Sequence, residues 1–208
     1  MEWEHAGQQG EIFRERAELR PGWYWVCRPQ NVGDRAYDAT KPVMLPILVK
    51  DGGVVQSPLS DLDSLEAAAL ACHDEDAGVT WGTFFAGPLG AGPLEGTLEA
   101  GKGVPPSGFF PPTPGWRWCR TRGPLFHVDA DGVGPVYLHD GPDGVAWVYS
   151  AARPDGAPVD IFELGFTEPL ISNNGVIDGE GEAGRKEADW FGDIPAPAAP
   201  PPAFPRFD

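Results

Sequence analysis

Pro21-Gly22-Trp23-Tyr24-Trp25 returns later in the chain as Pro114-Gly115-Trp116-Arg117-Trp118. At the same offset Pro42-Val43-Met44-Leu45 falls on Pro135-Val136-Tyr137-Leu138, and Val55 falls on Val148. At a shorter offset Phe85-Ala86-Gly87-Pro88-Leu89 matches Phe166-Thr167-Glu168-Pro169-Leu170. The residues lost between the two offsets correspond to a segment around 60–73 that only the first copy has. A repeat of this kind sets the architecture before any local element is assigned, because each copy is one folding unit. The opening Trp-x-Trp says what that unit is. Aromatic and β-branched residues favour strands. In a strand Trp23 and Trp25 share one face, and Tyr24 and Val26 share the other.

The rest of the first copy, residues 21–89, follows from that strand. Residues 29–41 read as a polar loop. Val43 to Val49 is an apolar run broken by Pro46, which predicts an edge or bulged strand. Lys50-Asp51-Gly52-Gly53 is a turn leading back through Val54-Val55-Gln56, a hairpin. Leu62, Leu65, Ala69 and Cys72 recur at helical spacing with Ser60 as N-cap, which predicts one short helix near 60–73. Val79 to Phe85 is a further strand. Residues 90–113 mix Gly, Pro and Ala without period and form a linker. The second copy, residues 114–170, places strands at Trp116–Cys119, Leu125–Val128, Val136–His139, Val145–Tyr149 and Ile161–Leu164, with no helix. Residues 1–20 are a polar N-terminal arm. Residues 171–208 are an acidic and then Pro-rich tail, for which an extended polyproline conformation is expected.

The composition agrees with this. The chain has 208 residues with 28 Gly, 24 Pro and 8 Trp. Gly and Pro at this density break long helices and favour short strands, while so many Trp argue for packed cores. The expected fold class is therefore mostly β: two related small β-barrel-like or curved-sheet modules in tandem, with one short helix in the first and a Pro-rich tail. The formal net charge of −16 argues against direct nucleic-acid binding, which needs Lys and Arg on phosphates, and against an anionic membrane surface. It allows plain solubility, attraction to a basic partner, or imitation of a nucleic acid. Cys27, Cys72 and Cys119 form no CxxC and no disulfide framework, so free thiols in a reducing compartment are expected. The start, Met1-Glu2-Trp3-Glu4-His5, has neither a basic stretch nor an apolar run, so no signal peptide is expected. Host cytoplasm or association with a virion is the predicted location.

Few residues carry a chemical signature. Trp23, Trp25, Trp116 and Trp118 could form an aromatic wall for sugars, Pro-rich peptides or cations. The alternative favoured here is that they are core anchors, because both copies share them and a shared feature is most economically the fold itself. His127, Asp129 and Asp131 have the residue types of a metal site, but Asp129-x-Asp131-Gly132 is also ordinary hairpin-turn chemistry. His73-Asp74-Glu75-Asp76 reads as a solvated acidic loop after the helix, with Asp74, Glu75 and Asp76 as a candidate acidic binding patch. No G-x-S-x-G elbow, phosphate-binding loop or activated Cys is present. In the tail, Trp190, Phe191, Phe204 and Phe207 are candidate docking anchors. The tail could also fold back, with Trp190 and Phe191 plugging an apolar groove of its own protein.

The unit P-G-W-x-W, P-V-x-L and F-x-x-P-L resembles short accessory proteins of phages and prophages that open with a Gly-Trp-Tyr-Trp strand, here duplicated over 21–89 and 114–170. The resemblance implies a mobile-element context and brings no catalytic residue with it. The function expected is a non-enzymatic, acidic accessory protein without cofactor, which binds a basic surface of a host protein in an anti-defence or nucleic-acid-mimicking role. One alternative is a structural or assembly component docking through its Pro-rich aromatic tail. Another is a metal-dependent enzyme using His127, Asp129 and Asp131.

Overall fold

The two faces of Trp23-Tyr24-Trp25-Val26 organise the molecule. The computed structural model describes residues 1–8, 12, 20–33, 36–49, 55–56, 72–89, 115–121, 133–140, 146–149, 151–157, 159, 188–197 and 200–208. The strands are β1 (Glu4–His5), β2 (Gly22–Gly33), β3 (Ala36–Val49), β4 (Val55–Gln56), β5 (Cys72–Asp74), β6 (Val79–Trp81), β7 (Phe84–Ala86), β8 (Gly115–Thr121), β9 (Val133–Asp140), β10 (Ala146–Tyr149), β11 (Ala188–Asp193) and β12 (Arg206–Phe207). They form a curled five-stranded sheet in the order β1-β7-β2-β3-β4, a four-stranded sheet β10-β9-β8-β11, and a three-stranded sheet β12-β6-β5. Every pairing is antiparallel. The fold is thus mostly β.

The first sheet is buried on both faces, which is why β2 and β3 carry near-continuous apolar runs instead of an alternation. Tyr24, Val26, Val43, Leu45, Ile47, Val49 and Phe85 pack on one face with Ala6, Ala151 and Val159. The segment supplying Ala151 and Val159 is stitched to β3 by reciprocal backbone bonds between Met44 and Ala152, 2.8 and 3.0 Å. On the other face Trp23, Trp25, Met44, Leu48 and Ala86 meet Trp116, Trp118, Tyr137, Ala152 and Ile194. The four indoles therefore occupy one core shared by two sheets, where two separate small cores were expected. On an extended-chain reference each ring contributes on the order of 4–6 kcal/mol of apolar burial as an upper bound.

The two Trp strands are built alike. Trp25 lies opposite Pro46 in the β2/β3 ladder, and Trp118 lies opposite Pro135 in the β8/β9 ladder. This pairing puts Pro46, rather than the Pro42 of the sequence match, in the place of Pro135. Gly22 and Gly115 open the strands with φ of 148° and 141°, backbone that only glycine adopts freely. The carbonyl of Trp23 accepts from the Leu89 N–H (2.7 Å), and that of Trp116 from the Ile194 N–H (2.9 Å). Across the core Trp23 faces Trp118 and Trp25 faces Trp116.

Several expectations change. Residues 29–41 are no loop, because β2 and β3 continue through most of them as a long hairpin with register shifts after Pro29 and Asn31. One shift bulges out Ala39-Thr40-Lys41. The Asp38 carboxylate holds that bulge by accepting from the Thr40 N–H (2.9 Å) and hydroxyl (2.5 Å). Pro46 sits in β3 between β2 and further partners. Residues two apart point to the same edge, so its missing N–H falls in the gap between the Ala152 bridge at Met44 and the β4 pairing at Leu48. The 79–85 run is two strands in different sheets, separated at Gly82-Thr83. Residues 60–71 of the expected helix lie outside the described residues. Cys72 and His73, its last two positions, are in a strand. Leu48 pairs with Gln56 and Val49 with Val55, as the expected hairpin requires, while its turn at 50–53 lies outside the described residues. The 166–170 match also lies outside the described residues. The place beside β8 that β7 holds beside β2 is taken by β11, from the tail.

Candidate functional site

The Trp wall is interior. Trp23, Trp25, Trp116 and Trp118 are 3%, 0%, 5% and 9% exposed, so none offers a face to a ligand. Centroids of Trp25 and Trp116 are 4.6 Å apart, those of Trp23 and Trp118 6.3 Å, and Trp116 meets Tyr137 edge-on at 5.3 Å. The Trp25 indole N–H donates to the Pro195 carbonyl at 3.2 Å, which ties the start of the tail to the core. Tyr137 donates to the Gly156 carbonyl at 2.5 Å, and burial pushes its phenol pKa up.

The acidic segment is a hairpin and not a loop. β5 pairs with β6 as Cys72↔Trp81, His73↔Thr80 and Asp74↔Val79. The turn between them ends at Gly78, whose φ of 63° is left-handed. Asp74 is buried and structural. One carboxylate oxygen accepts from the Ala77 N–H (2.8 Å), the other from the Tyr37 N–H (3.1 Å). These bonds, Ala77 first and Tyr37 second, hold its pKa below the usual carboxylate value. Asp74 thus closes its own turn and fastens the β2/β3 hairpin to the third sheet. Glu75 and Asp76 are exposed at the tip. Of the three acids, two face solvent and one does not.

The tail folds back by strand pairing. Trp190 and Phe191 lie in β11, with Trp190 opposite Cys119. Asp193, at the end of that strand, ion-pairs with Arg117. Further on, Gly82 N–H donates to the Pro205 carbonyl at 2.8 Å, and β12 pairs Arg206↔Trp81 and Phe207↔Thr80. Phe204 is buried with Cys27 and Phe84, its ring 5.8 Å from that of Phe84; Trp3, Ala39 and Trp81 pack around them. Phe207 stacks on His5 at 6.0 Å. Gly82 makes this approach feasible, since a Cβ there would lie 2.5 Å from His5 Nε2 and 2.7 Å from Pro205 Cγ. Neither Gly82 nor His5 stood out in the sequence. A glycine inside an apolar run was the available signal of a close backbone approach.

Cys27 and Cys72 are free, fully buried thiols. Burial raises both pKa values, that of Cys72 to about 11, and Cys72 adds to the rise at Cys27. Neither is a ready thiolate nucleophile. His127, Asp129 and Asp131 lie outside the described residues. Among the described residues no three His, Cys, Asp or Glu side chains gather as metal ligands, and no helix is long and apolar enough to cross a membrane. No family model, curated protein or solved structure matches the chain.

Proposed function

We propose that this chain is a non-enzymatic, acidic binding protein that meets a basic surface on a partner protein, in the manner of a mobile-element accessory protein acting on a host target. One observation carries the reading: the aromatic residues that could have formed a ligand wall are enclosed in the core, while the chain keeps a net charge of −16. Charged side chains remain at surfaces unless paired, so charge is the main chemical character left to the exterior. Glu75 and Asp76 on the exposed β5–β6 turn are its best-defined elements.

We also read the scaffold as two copies of one unit facing each other across a pseudo-twofold axis. Exchanging Trp23 with Trp116 and Trp25 with Trp118 turns the Trp23–Trp118 contact into the Trp116–Trp25 contact. That is the signature of an isologous interface. The shared Trp–Pro register and the matched bonds from Leu89 and Ile194 support the same reading.

The test is affinity capture with the full chain at about 50 mM and about 500 mM salt, where the Debye length falls several-fold. It is followed by titration of the purified captured protein against wild type and a Glu75→Lys/Asp76→Lys variant. Binding that weakens steeply with salt and in the variant supports the reading. Binding indifferent to both refutes it.

A further inference from the structure

The C-terminal Phe204-Pro205-Arg206-Phe207 is held as a peptide ligand is held. It adds an antiparallel strand to the edge of β6, places one aromatic ring in an apolar pocket and stacks a second on His5. Main-chain bonds with alternate side-chain pockets are how exposed sheet edges take up extended peptides. Among the described residues the attachment is small: two ladder pairs, one further backbone bond at Gly82, one buried anchor and the Phe207–His5 stack. Segments held by few buried contacts open most readily. The near end of the tail is tied down separately, by Ile194 to the Trp116 carbonyl and by Trp25 to the Pro195 carbonyl. Between the two anchorages the chain carries Pro195, Pro197, Pro200, Pro201 and Pro202. Proline-rich composition of this kind favours an extended, semi-rigid chain, at about 3.1 Å per residue. It resists recoiling when the far end lets go, and presents Phe204 to the surroundings. Every copy of the chain carries both the groove and the segment that fits it, so exchange makes the same contacts at no cost in specificity.

We propose that the β6 edge at Gly82, with its Phe204 pocket, is a docking site for the Phe204–Phe207 segment of a second copy of this chain, taken up in exchange for the resident one. The inference does not rest on the acidic-surface reading. Residence in cis corresponds to an effective concentration of about 1 mM for a short linker, so exchange between copies competes as the protein approaches that concentration.

The experiment is sedimentation of the full chain from about a thousandfold below that concentration up to it, with two variants. Phe204→Ala removes the anchor and keeps the groove. Gly82→Ala blocks the groove and keeps the anchor. Wild type dimerises with rising concentration, each variant alone stays monomeric, and their mixture forms a one-to-one dimer. A fluorescent peptide of residues 200–208 binds the Phe204→Ala protein and not Gly82→Ala, and far-ultraviolet circular dichroism checks that both variants keep their β signal. A wild type monomeric throughout the range overturns the proposal, even if the peptide binds. So does a dimer that persists in Phe204→Ala, or a mixture that fails to associate.

Discussion

Trp25→Leu is the sharpest probe of the shared core. Trp25 is fully buried, lies 4.6 Å from Trp116 and donates to the Pro195 carbonyl. Removing most of a buried indole costs about 3–4 kcal/mol through lost transfer and the cavity left behind. Loss of the hydrogen bond adds about 1 kcal/mol; Pro195 is exposed, so its carbonyl turns to water rather than being stranded. For a chain of this size each kcal/mol moves Tm by about 2–4 °C, so Tm falls by roughly 10–20 °C. The assay is thermal and urea unfolding of wild type, Trp25→Leu, Trp116→Leu and the double variant. One shared core makes every unfolding curve a single transition. It also makes the double variant less damaged than the sum of the singles, by about 0.5–1.5 kcal/mol for the aromatic pair. Additivity within about 0.3 kcal/mol, or a Trp116→Leu protein in which half of the transition stays at the wild-type midpoint, refutes the shared core.

Gly22→Ala and Gly115→Ala each force a side chain onto backbone with φ near 145°; each lowers stability by about 1–3 kcal/mol in urea titrations, although a Cβ at Gly115 would meet nothing within 4 Å. Asp74 contributes stability in full above the unfolded carboxylate pKa of about 3.9, and that contribution is lost as pH falls through its lower folded value. Asp74→Asn should accordingly flatten the fall in urea midpoint between about pH 5 and pH 3, and an unchanged slope counts against the cap. In a Cys119→Ser background, Cys27 and Cys72 stay unlabelled by a disulfide reagent at neutral pH until urea unfolds the protein. Native labelling contradicts the burial of Cys27 and Cys72. The Phe207 amide exchanges its hydrogen faster in Gly82→Ala than in wild type, and equal rates mean the tail is held by something other than the β6 edge.

The face assignment was legible because a strand has period two and both Trp strands carry tryptophan at alternate positions. What lies opposite each face was not legible, since alternation says which residues are buried and nothing about which sheet buries them. Pro29 to Lys41 looked like a loop because the far end of the long hairpin is polar, although Pro29 and Gln30 are buried and the Tyr37 N–H is bound by Asp74. The helical spacing of Leu62, Leu65, Ala69 and Cys72 was carried into Cys72-His73, where cross-strand pairing with Thr80 and Trp81 decides the backbone. Gly82 divided a run that composition alone joined. The tail strands were hardest to read. Their pairing is made by main-chain groups, which leave no residue signature, and proline-rich composition points to an unpaired extended chain.

On the two-unit reading, the same cause explains the strand beside β8. Residue identity favoured Phe166 to Leu170, yet the N–H that reaches the Trp116 carbonyl, as Leu89 reaches that of Trp23, belongs to Ile194. Read by hydrogen bond, Trp190-Phe191-Gly192-Asp193-Ile194 stands where Phe85-Ala86-Gly87-Pro88-Leu89 stands, with glycine at the same point. On the pseudo-twofold reading, likeness survives where the two units touch each other and is lost where they touch different things. Trp23, Trp25, Trp116 and Trp118 lie in the common core and match. Tyr24 packs with Ala151 and Val159, while Arg117 at the equivalent place meets Asp193. Either Trp face alone would be an exposed apolar patch of the kind that drives association. Joining both in one chain supplies the partner at high effective concentration and leaves the outer faces free to differ.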